Sequence, residues 1–148
     1  MKQQVLKSRQ ATLKALLDTP FILPSLGIDV GKKVTESLKK LADLNADIHF
    51  SHFSVIEALW VAARLSKNTN LNQESFRIGL RSILESRRYI KVEEDSEVFN
   101  EALKLYVLGH KDMIDNILYA SSVCFNLTLI TLDTELKEFI HSRGLRDT

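Results

Sequence analysis

The chain has 148 residues, 45% of them apolar and 26% charged, with 20 Lys+Arg against 19 Asp+Glu and a formal net charge of +1. A chain of this length buries roughly 68–70% of its unfolded surface in one compact unit. A single domain over residues 1–148 is therefore expected, and composition excludes a disordered chain, a wholly basic nucleic-acid coat and a wholly acidic tail.

Residues 1–11 are read as a basic lead-in. Lys2, Lys7, Arg9 and Lys14 occur in the first 17 residues without an acid, as a solvated segment or a nucleic-acid arm. Thr12–Leu17 is short and apolar enough to be a strand that ends at Asp18. Pro20, Pro24, Gly27 and Gly31 make the next stretch irregular. Lys32–Leu44 then carries Val34, Leu38, Leu41 and Ala42 at helical spacing, and Ile48–Phe50 is a short strand. Ser54–Leu65 reads as a helix opened by a capping box of Ser54 and Glu57, with Phe53 and Trp60 expected in the core.

Leu71–Leu84 forms a further helix, with Phe76, Leu80, Ile83 and Leu84 on one face, and Tyr89–Val92 a strand. Asp95 or Ser96 starts a helix that runs to Leu108 and ends at Gly109. Asp112 caps the next, which runs to about Phe125 and is apolar on nearly all sides, as buried helices are. Leu127–Thr131 is the clearest strand, and Asp133 opens a last helix ending near Gly144. Alternation of strands with helices means an α/β fold with a mainly parallel sheet and right-handed crossovers.

Cys124 is the only cysteine, so no intramolecular disulfide is available and a reducing compartment fits. The longest apolar run, Ala58–Ala63, is far below the ~20 residues that span a bilayer. No apolar signal core follows Met1, so a cytoplasmic protein without a membrane segment is expected.

In parallel sheets, ligands bind beyond the carboxyl ends of the strands. Asp18 closes the first strand there, Asp133 follows the last strand, and Glu57 starts the helix after the second. Asp115 arrives by a longer route. About ten helical residues at 1.5 Å each span ~15 Å, which a five-residue strand matches. A tight connection at about Asn126 makes that helix antiparallel to the following strand, so Asp115 returns to the edge occupied by Asp133. Singly, these residues also read as caps and turn residues. Together, four carboxylates repel one another unless cations are present. Oxygen ligands of this kind suit Mg²⁺ or Mn²⁺, and helix N-termini nearby favour an incoming phosphate. The chemistry implied is metal-assisted hydrolysis.

The pieces Leu17-Asp18-Thr19, Glu57 in its helix, Asp115-Asn116-Ile117-Leu118-Tyr119-Ala120 and Ile130-Thr131-Leu132-Asp133 resemble the PIN-domain nucleases, which include the toxins of VapBC-type toxin–antitoxin pairs. Their order covers about residues 12 to 142. The resemblance implies a five-stranded sheet in a three-layer α/β/α fold, Mg²⁺- or Mn²⁺-dependent endoribonuclease activity, an antitoxin partner and usually a homodimer. Carried over by position, Asp18, Glu57, Asp115 and Asp133 form the metal site and Thr131 supports it. Pro20 departs from the family's polar residue after Asp-Thr, and little chain follows Gly144, so the sheet is expected to have four to five strands. Asp112 reads as an N-cap or as an extra ligand.

Asp18-Thr19-Pro20 does not suit a haloacid-dehalogenase-like phosphatase, which needs a second aspartate where Pro20 stands. Gly27–Lys33 falls short of a phosphate loop, being one residue too short and lacking Ser/Thr after the lysine. His49 and His52 read as packing or surface residues. Arg77, Arg81, Arg87 and Arg88 form a basic cluster read as an RNA-backbone grip or a plain solvated face. The leading reading is an RNA-cleaving toxin; a PIN-fold RNA-binding module with little catalysis and an rRNA-maturation nuclease are the alternatives.

Overall fold

The computed structural model describes residues 12–68 and 70–147; the basic lead-in over residues 1–11 lies outside them. Four strands form one parallel sheet: β1 (Lys14–Leu17), β2 (Asp47–Phe50), β3 (Ile90–Lys91) and β4 (Thr128–Ile130), in spatial order β3-β2-β1-β4. Among the described residues, six α-helices surround it: α1 (Lys32–Asp43), α2 (His52–Lys67), α3 (Gln73–Glu85), α4 (Ser96–Leu108), α5 (Met113–Cys124) and α6 (Thr134–Ser142). No fifth strand follows α6 among the described residues. None of their helices is long and apolar enough to cross a membrane.

The period-two alternation of β1 divides the core. Ala15 and Leu17 pack with Val34 of α1, Ala58 of α2 and Ile83 of α3. Leu16 points the other way, against Leu105 of α4, Leu118 and Tyr119 of α5, and Leu136 and Ile140 of α6. Three layers result, α/β/α, with β1 buried on both faces. The register sets Leu16 beside His49 of β2 and Leu17 beside Ile130 of β4. The chain winds outward from β1 to β2 to β3, then crosses back to place β4 on the opposite side of β1. This reversal between β1 and β4 opens a crevice at their carboxyl ends, where open α/β sheets bind ligands.

The irregular stretch after β1 is two short 3-10 turns, Thr19–Phe21 and Leu23–Leu26. The second lies directly under α3. A Cβ on Gly79 would stand 2.0 Å from the Ser25 carbonyl oxygen, so only glycine permits that approach within a helix. Helix α5 is buried through Asp115–Ser122, as its all-round apolar character implies. Asn126, at φ 55°, makes the tight return from α5 to β4.

Two expectations are corrected. Helix α2 begins at His52, and Ser51 is its cap, accepting from Phe53 N–H at 3.1 Å. Ser54 lies inside the helix with its buried hydroxyl unbonded, so no Ser54–Glu57 capping box forms and Glu57 sits in the second turn. Trp60 is 65% exposed rather than in the core. It shares a helix stripe with Glu57, Val61 and Arg64, and that stripe faces a cleft instead of the sheet. Phe53 is half-buried against α4 and α5, edge-on to Phe99 at 5.9 Å between centroids.

Candidate metal centre

Asp18 leaves β1 in extended conformation and caps the first 3-10 turn. Its Oδ1 accepts from Thr19 N–H at 2.8 Å and its Oδ2 from the Thr131 hydroxyl at 2.7 Å. Thr131 also accepts the Asp133 N–H at 3.0 Å, so one hydroxyl couples the ends of β1 and β4. Thr19 performs the matching service for α2, donating its hydroxyl to Glu57 Oε1 at 2.5 Å. Asp112 caps α5 by accepting from Asp115 N–H at 3.1 Å, and Asp133 caps α6 by accepting from Leu136 N–H at 3.1 Å. The first turns of two helices thus present their positive ends at one place.

Asp18, Glu57, Asp115 and Asp133 all line one open cleft of about 570 Å³, together with Asp112, Thr19, Trp60, Arg64 and Leu132. Thr131 stands behind it, buried at 8% exposure. Asp115 does return to Asp133: carboxylate oxygens of the two lie within 4.8 Å of each other. Neither Arg77 nor Arg81 lines the cleft. Both are exposed on α3 and paired within it, Arg77 to Glu74 at 2.7 Å and Arg81 to Glu85 at 3.3 Å. His49 is half-buried and His52 exposed, as packing or surface roles require.

Electrostatics set this cleft apart. Burial raises the Asp18 carboxyl above its ordinary range, although the Thr131 and Thr19 hydrogen bonds oppose the rise. Burial also raises Glu57, opposed by Thr19 and reinforced by Asp112 and Asp18. Asp115 is pushed up to about 9 by burial, by its hydrogen bond to Asp133, and by the charges of Asp112, Asp18 and Asp133. Asp133 is lowered, chiefly because Asp115 donates to it. The cluster therefore retains a proton at neutral pH. That proton marks a deficit of positive charge, and a set of carboxylate oxygens with this deficit fits a hard divalent cation.

Two contributors carry little or no mark in the sequence. Nothing beside Thr19 in the chain gives it a role, and only the fold brings Glu57 to it. His110 is buried at 9% exposure in the loop before α5. Among the described residues, His110, Asp115 and Asp133 form a group whose ligand atoms all lie within 4.8 Å of one another. The one available signal was a histidine five positions before Asp115, just after the helix-ending Gly109.

Comparison with known proteins follows the same lines. The family model described as PIN domain matches residues 15–141. A search of curated proteins finds no match. Among solved structures, the chain is similar to VapBC2 from Rickettsia felis bound to a DNA fragment from their promoter, at 16% identity and a TM-score of 0.62, covering 86% of this chain and 93% of that one. It is similar to a toxin–antitoxin complex from Klebsiella pneumoniae at 18% identity and a TM-score of 0.57, covering 89% and 95%. A third is VapC20 of Mycobacterium tuberculosis, a sarcin-ricin loop cleaving toxin, at 14% identity and a TM-score of 0.56, covering 90% and 98%. At these identities the likeness is one of fold.

Proposed function

The chain belongs to the PIN-domain family, and from that premise we propose that it is a divalent-metal-dependent endoribonuclease and the toxin of a toxin–antitoxin pair. The observation that carries the reading is the convergence of Asp18, Glu57, Asp115 and Asp133, from four separate elements, on one cleft at the switch point of the sheet. Mg²⁺ or Mn²⁺ bound there would lower the pKa of a water and offset the charge building on the scissile phosphate. The four carboxylates hold the ion. Thr131 and Thr19 fix the orientation of Asp18 and Glu57, so little rearrangement accompanies binding.

Arg64 and Trp60 sit on the cleft face of α2, one turn apart and beyond Glu57. The guanidinium meets the RNA backbone, and the exposed indole offers a surface on which an unpaired base stacks. Arg64 replaces the Arg77–Arg81 pair as the basic contact, because those two are occupied by glutamates away from the cleft. Phe99, Leu103, Tyr106 and Val107 form an exposed apolar stripe on α4 at helical spacing. This stripe is the surface we assign to the antitoxin, in keeping with the toxin–antitoxin complexes among the similar structures.

Cleavage of a labelled single-stranded RNA in Mg²⁺ or Mn²⁺ and in EDTA tests the reading. Cleavage that requires the ion and disappears with Asp18→Asn is expected. Binding without cleavage would reduce the protein to a PIN-fold RNA-binding module. An antitoxin reading frame beside the gene separates a toxin from an rRNA-maturation nuclease.

A further inference from the structure

His110 is held at three points. Its N–H donates to the Leu105 carbonyl at 3.1 Å, and its own carbonyl accepts from Asn116 Nδ2 at 2.7 Å. The third point decides the chemistry: Asn116 Oδ1 lies 2.7 Å from His110 Nδ1. Because Nδ2 of that amide is the donor to the carbonyl, Oδ1 is the acceptor, and Nδ1 of the imidazole must carry the proton. With Nδ1 so occupied, Nε2 is the ring nitrogen left to ligate. No hydrogen bond to Nε2 forms among the described residues. Asn116 is completely buried, so the tautomer is locked by packing as well as by hydrogen bonds.

This ring stands in the group with Asp115 and Asp133, its ligand atom within 4.8 Å of theirs. Together with the two carboxyl groups, this nitrogen completes a set of three donors that a cation between them would engage. Histidines that bind metal show the same pattern, with one ring nitrogen donating to an oxygen and the other ligating. Imidazole is a softer ligand than carboxylate, and it raises affinity for first-row transition ions over Mg²⁺.

We infer that His110 ligates, through Nε2, the ion held by Asp115 and Asp133, and that it biases the centre toward Mn²⁺ over Mg²⁺. The inference rests on the divalent site proposed above. Asn116 is a positioning residue that presents the ring.

Pulsed electron paramagnetic resonance on the full chain loaded with Mn²⁺ tests this without any activity measurement. A ¹⁴N coupling from directly bound imidazole is expected, changing to ¹⁵N when histidine alone is labelled. In His110→Asn the side-chain amide still donates to Asn116 Oδ1, but no Nε2 remains. That variant should lose the coupling and weaken Mn²⁺ binding by about 10–100-fold, with a smaller change for Mg²⁺. Bound Mn²⁺ without nitrogen coupling in the unaltered protein would overturn the inference while leaving the carboxylate site intact, and so would coupling that persists in His110→Asn. No Mn²⁺ binding at all would overturn the divalent site and this inference with it.

Discussion

Thr131 donates its hydroxyl to Asp18 Oδ2 at 2.7 Å, although 113 positions separate the two residues in the chain. The Thr131 hydroxyl oxygen in turn accepts the Asp133 N–H at 3.0 Å, so a single buried hydroxyl ties the ends of two neighbouring parallel strands and orients two acids. Thr131→Val keeps the shape and removes both bonds. A half-buried N–H is then left without its partner, at a cost of about 1 kcal/mol. Denaturant unfolding should register that loss, and Mn²⁺ titration should show affinity falling by about 10–100-fold as Asp18 loses its orientation.

Stability of the metal-free protein should fall as pH rises. Asp115 keeps its proton to about pH 9 in the folded chain, against 3.8 as its ordinary value. The folded state therefore binds the extra proton between those values, and its contribution is complete below the lower one and lost on approaching the upper one. Asp18 and Glu57, also raised, act in the same sense. Asp133, lowered, acts in the opposite sense and loses its contribution on acidification. Thermal unfolding in EDTA from pH 5 to pH 9 should show a declining Tm, and Mn²⁺ should restore it at the alkaline end. A Tm that climbs steadily with pH in EDTA would refute this account of the cluster.

Asp115→Asn removes the ionisation and keeps a donor for Asp133. In EDTA at alkaline pH the variant should melt above the unaltered protein, by roughly 2–4 °C, and Mn²⁺ should shift it little. This combination, more stable and less able to bind metal, is what a site of mutually repelling ligands implies.

Trp60 is the only tryptophan of the chain, so its fluorescence reports the cleft directly. RNA binding to Asp18→Asn protein should quench it, and Trp60→Ala should weaken binding by about 1–3 kcal/mol per stacked base. Because the indole is exposed, the fold should change by no more than about 0.5 kcal/mol. Arg64→Ala should lower the salt dependence of RNA binding by about one unit of slope. Arg77→Ala should leave it nearly unchanged.

Gly79→Ala sets helix propensity against packing. Alanine favours a helix interior by about 1 kcal/mol over glycine, yet its Cβ would stand 2.0 Å from the Ser25 carbonyl oxygen. Backbone cannot yield as a flexible side chain does, so a net loss of stability in denaturant unfolding is expected.

Much of this centre was legible from order and length. Residues 115–124 of helix α5 span ~15 Å, about what residues 127–131 span in extended chain, and a left-handed Asn126 joins the two, which is enough to return Asp115 to Asp133. The caps at Asp95, Asp112 and Asp133 were equally readable, because a short acid before an apolar run satisfies orphan amides locally. Where two local solutions competed, the fold chose. Ser54 and Glu57 have capping-box spacing, but Ser51 follows β2 directly and takes the cap, while Thr19 claims Glu57 from another element. Trp60 misled for a related reason: apolarity predicts burial only when the helix face it occupies meets a core, and this face meets a cleft. His110 was hidden because its meaning depends on Asn116 and on the α4–α5 loop, neither of which a pattern of ligand spacings reveals.

The proposed function requires the acids to act through a bound ion, and Asp115 faces the charges of Asp112, Asp18 and Asp133 at once. The most direct test is the rate at which Asp115→Asn protein, verified as folded by its Tm, cleaves labelled RNA in saturating Mn²⁺. A fall of at least about 100-fold relative to the unaltered chain is predicted. A rate within a few-fold of the unaltered chain would contradict the assignment of this cleft as the metal centre.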